Sequence, residues 1–127
     1  MFTLSIKTKG NPKTLKGLPF ARMKDAILGK KYDLSLVFVD GREGRKLNKL
    51  YRKKDYATDI LSFPLSKTEG EIVINQKAAD KKAKTFDREP INYLQFLFIH
   101  GCVHLKGYAH GSRMESEERK FRKKFKI

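Results

Sequence analysis

The chain has 127 residues, 39% of them hydrophobic and 34% charged, a balance that suits a single soluble domain over residues 1–127. No apolar run approaches the roughly eighteen residues needed to cross a bilayer. The opening MFTLSIKTKG lacks the features of a secretory leader, and the one cysteine, Cys102, cannot form an internal disulfide. These features exclude a helical membrane protein and a disulfide scaffold and set a cytoplasmic location as the expectation. Lys and Arg total 29 against 14 Asp and Glu, a formal charge of +15. That excess is dense over 41–54, 76–88 and 119–127. It costs self-repulsion in the folded state, so it points to an anionic partner, nucleic acid before any membrane surface.

In chain order, FTLSIKT (2–8) alternates with period two and predicts a strand. From Lys13 to Leu28, apolar residues recur at mostly helical spacing, with Gly17 and Pro19 weakening the start. YDLSLVFVD (32–40) is a second strand that exits at Gly41. RKLNKLYRKK (45–54) has helical spacing, with Leu47, Leu50 and Tyr51 on one side. TDILSFP (58–64) and EIVIN (71–75) read as short strands, and QKAADKKAKTF (76–86) as a helix. The segment 90–107 opens on Pro90, which suits the first helical position, and is apolar almost all round, so its helix belongs in the core. Ser112 and Glu115 have capping-box spacing ahead of a last helix on which Met114, Phe121 and Phe125 share a face. This order predicts an α+β protein of mixed α/β layers. A small central mixed sheet of about four strands is surrounded by helices, with a metal site at the end of the buried helix.

All three histidines of the chain fall in HGCVHLKGYAHG (100–111). Residues four apart on a helix lie one above the other, so His100 and His104 project from one face. Gly107 is placed to end the helix, and the returning chain can bring His110 to the same point. Cys102, about 200° round the helix from each of the first two histidines, should face away as a small buried residue. Three imidazoles without an evident fourth ligand describe a metal site with one position open to water. Zinc suits imidazole best, while nickel, cobalt and copper stay open. The spacing matches the ligand skeleton of the metzincin proteases, except that Gly101 stands where they carry their general base.

HGCVHLKGYAH (100–110), together with LNKLYRKKDYATDILSFP (47–64) and the weaker EGEIVI (69–74), resembles the YbeY family of rRNA-maturation endoribonucleases. The resemblance covers roughly residues 32–127. It implies a small mixed sheet wrapped by helices around a metal cleft, and a metal-dependent endoribonuclease acting on single-stranded ribosomal RNA near the small-subunit 3′ end. It also implies Zn2+ at His100, His104 and His110, a functional arginine at Arg52, and small-subunit proteins and assembly factors as partners. Ala109 stands where the family usually has an acid, and Ala57 where a proline is common.

On this basis Arg52 and His100 are the expected catalytic residues. A guanidinium pairs bidentately with phosphate oxygens, and Arg45, Lys49, Arg52, Lys53 and Lys54 are expected to line the RNA path. Thr58 and Asp59 read as turn or capping residues, and Ser62 as structural. Two alternatives stay open: a non-catalytic RNA-binding assembly factor with a structural metal, and a metallopeptidase, which Gly101 and the charge excess both disfavour.

Overall fold

The computed structural model describes residues 4–8, 18–39, 42, 46, 49–50, 59–108 and 111–127. Its elements are β1 (Leu4–Thr8), α1 (Phe20–Leu28), β2 (Asp33–Val39), β3 (Ile60–Pro64), β4 (Glu69–Asn75), α2 (Gln76–Thr85), α3 (Pro90–Leu105) and α4 (Ser112–Phe125). Among the described residues the predicted strands and helices occur in the expected order, the predicted 45–54 helix falling largely outside them, and the architecture is α+β. The sheet runs β1-β2-β4-β3. β1 pairs with β2 and β2 with β4 in parallel, while β3 lies antiparallel to β4, so the sheet is mixed.

Period-two alternation divides the sheet into two faces. Leu34, Leu36 and Phe38 of β2 and Ile72 and Ile74 of β4 point into the main core, packed with Phe20, Met23 and Ile27 of α1 and with α3. Across the sheet, Val39, Leu61 and Val73 form a smaller cluster with Val37 and Phe63. α3 is the hub, packed against α1, α2, α4, β3 and β4. Its buried residues Tyr93, Leu94, Leu97, Phe98, Ile99, Gly101, Cys102 and Val103 occupy most of its circumference, as its composition requires.

Local sequence explains most of the boundaries. α1 starts only after Pro19, whose ring fixes φ and removes a donor. Asn75 ends β4 and caps α2, its Oδ1 accepting from the Ala78 amide at 3.1 Å. Pro90 occupies the first turn of α3.

One expectation is corrected. The capping box at Ser112 is not made: Gly111 is the cap residue, no side chain caps the helix, and Ser112 is already helical. Glu115 instead receives Arg119 at 3.2 Å. Of the predicted 45–54 helix, Lys46, Lys49 and Leu50 are helical, with Leu50 66% exposed; Leu47 and Tyr51 lie outside the described residues.

Candidate metal centre

His100 and His104 sit on consecutive turns of α3, on its less buried side. Phe96, one turn earlier, continues that side. His100 is partly buried and His104 is exposed. The helix stops just beyond them. The Gly107 amide donates to the His104 carbonyl at 3.0 Å, and Gly107 adopts φ 113°, a conformation open mainly to glycine. His110 and Ala109 lie outside the described residues.

Each imidazole has its Nδ1 engaged. His100 Nδ1 donates to Glu118 Oε1 at 2.7 Å, and His104 Nδ1 donates to the Tyr108 carbonyl at 3.3 Å. A proton held on Nδ1 places the ring's lone pair on Nε2, the nitrogen that can ligate a cation. Two imidazoles at helical i,i+4 spacing, both in this tautomer, are a donor set that fits a divalent transition metal. Among the described residues no group of three His, Cys, Asp or Glu is assembled around one point.

The neighbours of this pair are fixed by packing. Gly101 faces the sheet. A Cβ there would lie 2.9 Å from Ile72 Cδ1, 3.1 Å from Ile60 Cδ1 and 3.2 Å from Ser62 Oγ. Position 101 therefore permits close approach of α3 to β3 and β4, and as glycine it carries no general base. Cys102 is fully buried, as expected, and burial pushes its thiol well up from its ordinary range. Ser62 is a strand residue against α3, in keeping with a structural role.

Asp59 does more than turn the chain. Its carboxylate accepts from the Tyr93 hydroxyl at 2.9 Å and stands 3.8 Å from Lys82, while its carbonyl accepts from the Asn75 amide at 2.9 Å. It thus ties β4, α2 and α3 together beside the strand that carries Ser62. Burial, then the hydrogen bond to Asp59, raises the Tyr93 phenol.

Glu118 escapes a reading of the sequence, where it is one acid in the run MESEER. The signal available there is its spacing: four residues after Met114 and three before Phe121, it lies on the buried stripe of α4. Of the basic residues expected to line an RNA path, Lys49 is helical and exposed, with Arg42 and Lys46 exposed on the same segment. Arg45, Arg52, Lys53 and Lys54 lie outside the described residues. No described helix is long and apolar enough to cross a membrane.

The family model for Endoribonuclease YbeY matches residues 6–126. Among curated relatives described as Endoribonuclease YbeY, that of Aquifex aeolicus is 43% identical over 96 residues, covering 71% of this chain and 63% of the relative. That of Alkaliphilus metalliredigens is 39% identical over 98 residues, covering 68% and 63%. That of Nautilia profundicola is 37% identical over 102 residues, covering 75% and 73%. The chain thus spans under two thirds of the length of the first two. The solution structure of a Thermotoga maritima protein matches the fold with a TM-score of 0.68, at 24% identity, over 97% of this chain and 91% of that one.

Proposed function

The chain belongs to the YbeY endoribonuclease family, and from that premise we propose that it is a metal-dependent endoribonuclease that cuts single-stranded ribosomal RNA during small-subunit maturation. Zinc is the proposed cofactor, held by His100, His104 and His110. The observation that carries this reading is the pair His100 and His104, one turn apart on a helix locked into the core, each with Nδ1 engaged by an acceptor. The charge of +15 supports a polyanionic substrate.

When bound, the cation supplies Lewis acidity toward a phosphodiester. The remaining work falls to the chain's own groups. α3 fixes the spacing of His100 and His104, because its other faces are buried against the sheet and its neighbouring helices. Arg52 pairs with phosphate oxygens and offsets the charge that develops on them. Arg45, Lys49, Lys53 and Lys54 hold flanking phosphates in an electrostatic groove whose grip weakens steeply with salt. Small-subunit proteins and assembly factors are the proposed partners, and the cytoplasm the proposed location.

The test compares wild type, His104→Ala and Arg52→Ala on single-stranded and duplex RNA, with elemental analysis of each protein. Wild type should hold a divalent metal and cut the single strand. His104→Ala should lose both metal and cutting, and Arg52→Ala should lose cutting with metal retained. Equal cutting by His104→Ala would overturn the metal-dependent mechanism, and RNA binding without cutting by metal-loaded wild type would establish the assembly-factor alternative.

A further inference from the structure

The three glutamates of α4 have different fates. Glu115 is exposed and pairs with Arg119, also exposed. Glu117 takes Lys106 at 3.0 Å and Lys120 at 3.7 Å, and the Lys106 hydrogen bond lowers its pKa. Glu118 is buried at 8% exposure on the face between Met114 and Phe121, and among the described residues its carboxylate accepts from the imidazole of His100. The chain has 29 Lys and Arg for 14 Asp and Glu, so cations are in ample supply for any surface carboxylate. Burying a carboxylate costs several kcal/mol unless a charge-assisted hydrogen bond offsets it. Among the described residues that bond is the 2.7 Å contact with His100 Nδ1.

The carboxylate is also held rigidly in place. Contacts of Phe96 with Arg122, His100 with Glu118 and Lys106 with Glu117 show α3 and α4 running antiparallel side by side. Met114 and Phe121 anchor α4 in the main core on either side of Glu118. His104 Nδ1 meets the Tyr108 carbonyl at 3.3 Å, and position 109 is alanine.

We infer that Glu118 is a positioning residue for the metal centre: it fixes the Nδ1–H tautomer and the ring orientation of His100, so that the docking of α4 on α3 sets how tightly the cation is held. The inference rests on the metal-binding reading above. A carboxylate behind a ligating imidazole orients the ring and raises its basicity, and loss of such a partner typically weakens metal affinity about 10–100-fold.

The experiment uses the full chain as wild type, Glu118→Gln, Glu118→Asp and Glu118→Ala. Zinc affinity is measured by chelator competition, and the His100 tautomer by imidazole 15N shifts in the metal-free protein. Glu118→Gln keeps the volume and an acceptor oxygen but removes the charge, and should weaken zinc about 10-fold; Glu118→Ala should approach about 100-fold and yield a mixture of His100 tautomers. Glu118→Asp should recover part of the affinity. Affinity and tautomer unchanged in a folded Glu118→Gln and Glu118→Ala would overturn the inference, as would lowered thermal stability with unchanged zinc affinity. If wild type binds no zinc, the metal reading fails separately, and the tautomer measurement in metal-free protein still decides the role of Glu118.

Discussion

α3 carries two surfaces made by opposite physics. Toward the sheet and α1 it presents Phe98, Ile99, Cys102 and Val103, all fully buried, with Phe98 packed 4.8 Å from the Phe20 ring. Along its other side run Phe96, His100 and His104, met by Arg122, by Glu118 and by the Tyr108 carbonyl. The first surface is held by area removed from water and tolerates no added atoms. The second is held by a few directed polar contacts. The contrast teaches that this helix separates stability from chemistry by face, so that substitutions a single residue apart should have different kinds of consequence.

The harshest way to test that division is Gly101→Glu, which restores the protease-like spacing. A carboxylate forced between α3 and the Ile60, Ser62 and Ile72 side chains should cost more than about 3 kcal/mol, through overpacking and burial of an unpaired charge, and leave the chain largely unfolded by circular dichroism. A folded Gly101→Glu protein would show that α3 can lift from the sheet.

Phe98→Ala should come next, losing about 3–5 kcal/mol in urea unfolding through the cavity it leaves. The molecules that stay folded should keep the zinc affinity of wild type, because the stripe of His100 and His104 is on the other side. A change in affinity comparable to the stability loss would merge the two surfaces into one.

The smallest effect belongs to His104→Ala in metal-free protein. The side chain is exposed, so stability should move by no more than about 0.5 kcal/mol. A loss above about 2 kcal/mol in the absence of metal would assign His104 a structural role.

Much of this was legible in the residues. The period of two in FTLSIKT marks β1, the strand-like runs YDLSLVFVD and EIVIN mark β2 and β4, and Pro90 with its apolar run marks α3. The pairing of His100 with His104 follows from 3.6 residues per turn and needs nothing beyond the helix itself. Ser112 lost its expected capping role because α4 begins one residue too early for it, with Gly111 as the cap.

Sequence alone determined the order of the described elements, the helical pairing of His100 with His104 and the charge that favours a polyanion, since each depends on neighbours in the chain or on a simple sum. Tertiary structure alone decided that Glu118, and not Glu115 or Glu117, meets His100. It decided equally that Gly101 is pressed against β3 and β4 and that Asp59 receives the Tyr93 hydroxyl. Those contacts join elements distant along the chain, and which carboxylate or glycine lies at a given point depends on how helices dock, a relation that no local periodicity encodes.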